Sequence, residues 1–168
     1  SALIKISKKY KIPIIEDACH AFGSEINYDN KTYKIGSNKY SDLTTFSFHP
    51  VKTITTGEGG AILTNNLKYY NNIKKYVSHG MYFKPLVEKK YKWNYYDMEF
   101  PGYNFRMSDI NCSLGISKID KTKKFINKRN KIAKFYINYF SRYKSTISII
   151  KINKNVQSSY HLFPIKID

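Results

Sequence analysis

Apolar and polar positions repeat with two different periods along this chain, and together they predict a mixed α/β fold. Apolar residues at helical spacing predict helices over residues 2–11, 66–77, 108–119 and 121–139. Short apolar runs predict strands over residues 12–16, 43–48, 60–64, 147–152 and 160–167. The order strand, turn, strand, helix in the first half is typical of an α/β domain.

Two segments lack a clear period. Residues 24–42 carry Tyr, Lys and Asn with a Gly-Ser pair, and we expect a small hairpin or loop there. Residues 78–102 are aromatic and contain Pro85 and Pro101, which predicts a long loop. A loop of this length is uncommon in a compact domain unless it is functional.

The charge is the main anomaly of the composition. The 168 residues carry 29 Lys and Arg against 12 Asp and Glu, a formal charge of +17. Because such a balance is typical of proteins that bind nucleic acid, a basic nucleic-acid-binding protein is one alternative. The lysines are spread along the chain, however, and the bias towards Lys, Asn, Ile, Tyr and Phe is what an AT-rich genome encodes. We therefore favour compositional drift, with no nucleic-acid partner.

The cysteines and the apolar runs bear on the compartment. Cys19 and Cys112 have no metal-ligand spacing, so no metal site is predicted, and two isolated thiols fit a reducing compartment. No apolar run reaches the roughly 18 residues of a membrane span, and the N-terminus lacks a signal-peptide pattern. We expect a cytoplasmic protein with no membrane contact. Both ends fall inside predicted elements, so we also expect a fragment of a longer chain.

Residues 45–60 hold the most specific candidate chemistry. Alternating phenylalanines predict a buried strand, and His49-Pro50 ends it because proline lacks the N–H that a ladder needs. Lys52 follows on a glycine-rich turn, so that the Ser47 hydroxyl and the Lys52 amine are held close together. This pair suits a cofactor with a phosphate at one end and an aldehyde at the other. The alternative is a surface lysine on an ordinary loop.

Asp17 follows the predicted strand 12–16, and ligands of α/β sheets bind outside the carboxyl ends of strands. A buried carboxylate there is costly unless it is paired, and a protonated pyridine nitrogen would pair with it. Such a ring draws electrons from a substrate carbanion. His20 lies one helical turn further on and could sit beside the ring. The alternatives are a helix N-cap for Asp17, a satisfied core hydroxyl for Ser47 and an ordinary, partly buried histidine for His20.

These segments resemble the DegT/DnrJ/StrS family of pyridoxal-phosphate-dependent sugar aminotransferases. The resemblance is carried by the sequences Glu-Asp-Ala-Cys-His-Ala-Phe-Gly at 16–23, Phe-Ser-Phe-His-Pro-Val-Lys at 46–52, Gly-Glu-Gly-Gly-Ala at 57–61, Ser-His-Gly-Met at 78–81 and Gly-Tyr-Asn-Phe-Arg-Met-Ser-Asp-Ile at 102–110. It covers nearly the whole chain in the order of the family.

The resemblance implies the central part of a fold-type I transferase. The large domain of such an enzyme has a mostly parallel seven-stranded sheet, and its active site is shared across a homodimer. Residues 1–120 would form the cofactor-binding part of the large domain. Residues 121–168 would form a linking helix and the start of a small C-terminal domain.

The resemblance also implies the roles of five residues toward pyridoxal 5'-phosphate. Lys52 would be the catalytic residue that forms the Schiff base with the cofactor, and Asp17 would pair with its pyridine nitrogen. His20 would lie beside the ring, and Ser47 would bind the phosphate. Asn104 would reach the phosphate of the neighbouring subunit's cofactor.

For the substrates, the resemblance implies a nucleotide-linked keto sugar and L-glutamate as amino donor. His79 and residues 82–93 would lie near the sugar nucleotide. Within the family, residues 49–60 and 78–81 look most like the enzymes that aminate a UDP-4-keto-6-deoxy-N-acetylhexosamine on the way to pseudaminic acid.

The family's chains are considerably longer than this one. The absent parts would supply a phosphate cup, a ring that stacks on the cofactor and the rest of the small domain. We therefore expect the 168-residue chain to bind the cofactor weakly or not at all by itself, while the full-length product is active. Two alternatives are an inactive fragment and a sugar-dehydrating relative, although such relatives have histidine in place of Lys52.

Overall fold

The computed structural model describes residues 2–84 and 95–167. Its helices are α1 (Ala2–Tyr10), α2 (Leu67–Val77), α3 (Asp109–Ile119) and α4 (Thr122–Phe140). Its strands are β1 (Ile15–Asp17), β2 (Glu25–Tyr28), β3 (Lys31–Lys34), β4 (Leu43–Ser47), β5 (Gly60–Leu63), β6 (Met81–Lys84), β7 (Tyr95–Met98), β8 (Ile147–Ile149), β9 (Val156–Gln157) and β10 (Ile165–Ile167). The four predicted helices are confirmed to within one residue at each end. The expectation of an α/β fold is also confirmed.

A three-stranded sheet in the order β1-β4-β5 carries the candidate chemistry. Strands β1 and β4 are parallel, and β4 and β5 are antiparallel. Along β4 the side chains alternate, so that Thr44, Phe46 and the following Phe48 are buried. The phenylalanine alternation predicted this strand correctly, because successive side chains point to opposite faces of a sheet.

The hydrophobic core lies beneath the end of β4. Ala18, Phe46, Phe48 and Ile54 are its buried members. Phe22 meets Phe46 edge to face, with ring centroids 5.2 Å apart, a favourable geometry for aromatic pairs. The core therefore joins the segment after β1 to the strand and turn that carry Lys52.

Two smaller sheets accompany this core. Strands β2 and β3 form the expected hairpin, and β9 pairs with the other edge of β2. Strands β8 and β10 form an antiparallel pair, each shorter than its predicted run. The predicted strand 12–16 is also shorter in the structure, since β1 begins only at Ile15.

Residues 78–102 are not the single long loop that their composition predicts. Strands β6 and β7 pair antiparallel, with Met81 opposite Met98 and Lys84 opposite Tyr95. Each strand has four residues with no strict alternation, so only the pairing between them makes them strands. Pro85 lies outside the described residues.

The chain divides into two compact units, residues Ser1–Leu63 with Asp109–Asp168, and residues Thr64–Ser108. The division at residue 120 into a cofactor-binding portion and the start of a small domain concerns the complete protein and stays a prediction. Over residues 2–84 and 95–167, no helix has both the length and the apolar character needed to cross a membrane.

Candidate active site

The parallel pairing of β1 and β4 brings the two candidate loops to one edge of the sheet. Asp17, the last residue of β1, lies opposite Thr45. The amide of Ala18 donates a hydrogen bond to the Thr45 carbonyl at 2.9 Å. The chain therefore leaves β1 and β4 at the same end, as the sequence predicts for ligand-binding loops of an α/β sheet.

The Asp17 carboxylate is held in its charged form. Hydrogen bonds from the Cys19 thiol and then the Cys19 amide are the main causes that lower the pKa of Asp17. Burial raises it, and His20 and Lys52 lower it by smaller effects. The amide contact is 3.0 Å to Oδ1. Lys52 thus favours the charged form of Asp17, as a nearby cation does.

Asp17 is exposed in this chain, which corrects the expectation of a buried carboxylate. Strand β1 lies at the edge of its three-stranded sheet, so no neighbouring strand covers its outer side. The predicted cost of burying an unpaired charge therefore does not arise within residues 2–84 and 95–167.

A tight and well-anchored turn presents Lys52. The Lys52 amide donates to the His49 carbonyl at 2.9 Å, and the Thr56 amide donates to the Phe48 carbonyl at 3.0 Å. The Thr55 hydroxyl donates to the same Phe48 carbonyl at 2.9 Å. Ile54 is 2% exposed, so the turn is rooted in the core while Lys52 stays only partly buried.

Helix α3 supports this turn from outside. A Cβ added to Gly115 would lie 2.9 Å from the Thr56 Cγ2, so a side chain there would press on the turn. The Asn111 side-chain amide donates to the Glu58 carbonyl at 3.1 Å. Glycine at 115 thus allows the close approach of helix and turn.

Ser47 ends β4 directly before this turn, opposite Gly60 of β5. Its Oγ accepts a hydrogen bond from the His49 amide at 3.4 Å. The hydroxyl proton is not used in that contact, so it can be donated to a ligand oxygen. A Cβ on Gly60 would lie 2.6 Å from the Phe46 carbonyl oxygen, so glycine is required beside β4.

A second histidine, His161, lies beside His20. Its ring centroid is 4.5 Å from that of His20, at an interplanar angle of 56°. Burial lowers the pKa of His161, as do His20, Lys52 and Arg129. Its Nδ1 is buried and has no hydrogen-bond partner among the described residues. No local pattern marks this residue, because only the tertiary fold brings it to His20.

Asn104 and His79 lie together in the second unit. Ser78 and Asn104 form an isolated antiparallel bridge, and the His79 amide donates to the Tyr103 carbonyl at 2.9 Å. His79 has a φ of 59°, which non-glycine residues seldom adopt. The structure thus brings the two residues together, and Asn104 is exposed. Of residues 82–93, predicted to lie near the sugar nucleotide, 85–93 lie outside the described residues.

Four of the predicted site residues, Asp17, His20, Ser47 and Lys52, lie in the unit that contains β1 and β4. Residues 2–84 and 95–167 contain no group of three or more His, Cys, Asp or Glu side chains that could hold a metal ion. The arrangement provides an anionic carboxylate, an amine, a hydroxyl and two imidazoles at one sheet edge.

An α/β sheet with a carboxylate after one strand and a lysine turn after its parallel neighbour is the arrangement of a fold-type I transferase. The sequence model of the DegT/DnrJ/EryC1/StrS aminotransferase family matches residues 1–168. The chain belongs to this family, which confirms the resemblance drawn from its motifs.

Relatives with assigned activities share much of this sequence. A UDP-4-amino-4,6-dideoxy-N-acetyl-beta-L-altrosamine transaminase of Campylobacter jejuni (strain 81-176) is 46% identical over 95% of this chain and 39% of its own. The transaminase of the same name from Helicobacter pylori is 35% identical, over 96% of this chain and 39% of its own. This chain therefore spans about two fifths of the length of these relatives.

Solved structures agree with the sequence relatives. Helicobacter pylori PseC, an aminotransferase involved in the biosynthesis of pseudoaminic acid, matches with a TM-score of 0.83 and 33% identity over 99% of this chain and 41% of its own. The PLP-form of the sugar aminotransferase Spr1654 from Streptococcus pneumoniae, a putative assignment in its own description, matches with a TM-score of 0.77 and 29% identity over 97% of this chain and 39% of its own.

Proposed function

We propose that the complete protein is a pyridoxal-phosphate-dependent aminotransferase that moves an amino group from L-glutamate to a nucleotide-linked keto-deoxy sugar. The products are 2-oxoglutarate and the amino sugar. The observation that carries this proposal is the parallel pairing of β1 and β4, because it places Asp17 and the start of the Lys52 turn at one sheet edge. Membership of an aminotransferase family supports the same reaction class.

The residues at this edge fit the cofactor. The lowered pKa of Asp17 keeps a carboxylate available for a protonated ring nitrogen. Lys52 supplies an amine for the aldehyde, and the free proton of Ser47 can be donated to a phosphate oxygen. The buried Nδ1 of His161, which has no hydrogen-bond partner among the described residues, supports a polar ligand at this site.

When bound, pyridoxal phosphate supplies an electron sink for the carbon that loses or gains the amino group. The chain's own residues then have distinct tasks. Asp17 would hold the ring nitrogen protonated and so orient the ring. Lys52 would hold the aldehyde end of the cofactor, and its free amine would move a proton between substrate atoms. His20 would lie beside the ring.

Two further roles concern the second unit. We infer that Asn104 donates to the cofactor phosphate of the neighbouring subunit, because it is exposed and its backbone is fixed by the bridge to Ser78. His79 lies beside it and would contact the sugar nucleotide. Both roles require a homodimer, in which each active site combines residues of two subunits.

The relatives support a narrower substrate. Two of them are named as transaminases of UDP-4-amino-4,6-dideoxy-N-acetyl-beta-L-altrosamine. We therefore infer that the sugar substrate is a UDP-4-keto-6-deoxy-N-acetylhexosamine and that the product enters cell-surface sugar biosynthesis in the cytoplasm. The family match favours this reaction over the nucleic-acid-binding alternative that the basic charge raised.

The test uses the complete protein with L-glutamate and the UDP-keto sugar, and follows the formation of 2-oxoglutarate. Lys52→Ala should abolish turnover, because it removes the amine that would bind the aldehyde. Lys68→Ala is the matched control, since Lys68 is exposed on α2, and it should retain activity. Glutamate-dependent turnover by the Lys52→Ala protein would refute the role of Lys52.

A further inference from the structure

Side chains of helix α4 bind the segment that carries His161. The Arg129 Nη1 donates to the carbonyls of Tyr160 and His161 at 3.1 and 3.2 Å. The next residue on the helix, Asn130, donates from its side-chain amide to the Ser158 carbonyl at 3.2 Å. Two adjacent helix residues therefore bind three carbonyls of one short segment.

A buried serine pair holds the same segment from the other side. Ser159 is fully buried, and its amide donates to the Ser24 Oγ at 3.0 Å. The Ser24 hydroxyl donates to the Ser159 Oγ at 3.1 Å. Ser24 follows closely on the Asp17–His20 segment, so these contacts tie the His161 segment to the candidate site.

The backbone conformation of Tyr160 indicates that these hydrogen bonds constrain the segment. Its φ is 48°, in the left-handed region that is unfavourable for a side chain of this size. Backbone in that region persists where the surroundings over-determine it. Here the bond from Arg129 to the Tyr160 carbonyl fixes the bend, and the bend directs the next side chain, His161, onto His20.

We propose that Arg129 is a positioning residue of the active site, which sets the His161 imidazole against His20 by holding the carbonyls of Tyr160 and His161. Its catalytic consequence rests on the proposed aminotransferase function, whereas the positioning itself can be measured without substrate. Arg129 has no contact with the Asp17 or Lys52 side chains among the described hydrogen bonds and ion pairs.

The charges around His161 agree with this geometry. The groups that act on it are His20, Lys52 and Arg129, and all three disfavour its protonation. Asp17 interacts electrostatically with His20 and Lys52. His161 is therefore kept as a neutral imidazole, in which one ring nitrogen can accept a hydrogen bond.

The experiment uses the complete protein with ¹³C-labelled histidine, in the absence of sugar substrate. Titration by NMR gives the midpoint of His161, assigned with His161→Gln, and an NOE reports the contact between the His20 and His161 rings. The variants are Arg129→Gln and Arg129→Lys. Lys128→Gln is the matched control, because it removes a cation from the exposed face of the same helix.

Arg129→Gln should weaken the NOE and raise the His161 midpoint, because a cation that disfavours protonation of His161 is removed. Arg129→Lys should give intermediate values, since the shorter side chain keeps the charge but cannot reach both carbonyls equally. Lys128→Gln should match the unaltered protein. Thermal unfolding of each variant separates a change in position from a change in stability.

An Arg129→Gln protein with lower stability but an unchanged NOE and midpoint would overturn the proposal, since Arg129 would then serve stability alone. If the Arg129→Gln protein does not fold, the Arg129→Lys protein provides the test. An NOE and a His161 midpoint equal to those of the unaltered protein would then overturn the proposal. With substrates added, the proposal expects the acid limb of the kcat/KM profile to move in the same direction as the His161 midpoint. Absence of turnover in the unaltered protein would refute the proposed function and leave the NMR result standing.

Discussion

Asp17 and Thr45 lie opposite each other at the carboxyl ends of two parallel strands, and the Ala18 amide bonds to the Thr45 carbonyl at 2.9 Å. This one pairing fixes where the acidic loop and the lysine turn begin relative to each other. Both loops therefore start at the same sheet edge. The proposed chemistry follows from that relationship.

Asp17→Asn is expected to lower the turnover of the complete protein by roughly 10²–10³-fold, the range found when one preorganised electrostatic partner is removed. Asparagine retains an oxygen that can accept from the Cys19 amide, so the local fold should persist. Turnover with glutamate and the keto sugar measures the effect.

Glu58→Gln is the control for that change, because Glu58 is an exposed carboxylate on the lysine turn and has no effect on the pKa of Asp17. Its activity should stay near that of the unaltered protein. Equal activity of the Asp17→Asn protein and the Glu58→Gln protein would remove Asp17 from the mechanism.

Gly60→Ala is expected to destabilise the protein by about 1–3 kcal/mol, the usual cost of overpacking. The added Cβ would lie 2.6 Å from the Phe46 carbonyl oxygen, and a backbone atom cannot move aside alone. Urea unfolding measures the change. Gly60 does not lie in the left-handed region, so a loss would come from crowding and not from backbone strain. A free energy of unfolding equal to that of the unaltered protein would contradict this crowding.

His161 gives the stability of the protein a dependence on pH. Its pKa lies below the ordinary value of 6.5, chiefly because of burial, so the unfolded chain binds the proton more readily. The stability that His161 contributes is therefore fully present above pH 6.5. It is lost as the pH falls from that value through the lowered pKa of the folded protein.

His161→Gln should remove this part of the pH dependence, measured as the urea midpoint between pH 8 and pH 5. His49→Gln should leave it in place, because His49 is exposed on the lysine turn. A slope below pH 6.5 that is the same in the His161→Gln protein and the unaltered protein would contradict the assignment.

Mixed dimers test whether the active site is shared. Asn104→Ala should weaken cofactor binding by about 10–100-fold, the loss of one hydrogen bond to a charged group. In a dimer of one Lys52→Ala and one Asn104→Ala subunit, one site carries both defects and the other carries neither. At a cofactor concentration too low to fill the Asn104→Ala sites, mixing the two proteins under subunit exchange should therefore give each mixed dimer about half the activity of an unaltered dimer. No recovery would place Asn104 in the active site of its own subunit.

The sequence predicts well those features that depend on local periodicity. Helix α4 was expected from its apolar stripe, and β4 from its alternating phenylalanines, because each pattern matches the geometry of one element. The Lys52 turn was expected for a similar reason, since His49-Pro50 and the following glycines lie next to each other in the chain.

Features that depend on distant pairing were not predicted. The hairpin of β6 and β7 is defined by the register between Met81 and Met98, and neither strand alternates strictly. His161 lies against His20, and its segment is bound by Arg129 and Ser24, all of which are distant in the sequence. The exposure of Asp17 depends on β1 being an edge strand, which the order of strands along the chain does not reveal.

The most direct test of the central claim is to identify which lysine holds the cofactor. The complete protein would be incubated with pyridoxal phosphate, reduced with borohydride and digested, and the modified peptide would be sequenced by mass spectrometry. The account predicts one adduct per subunit, on Lys52, and its loss in the Lys52→Ala protein. A stoichiometric adduct on another lysine, with Lys52 unmodified, would contradict it.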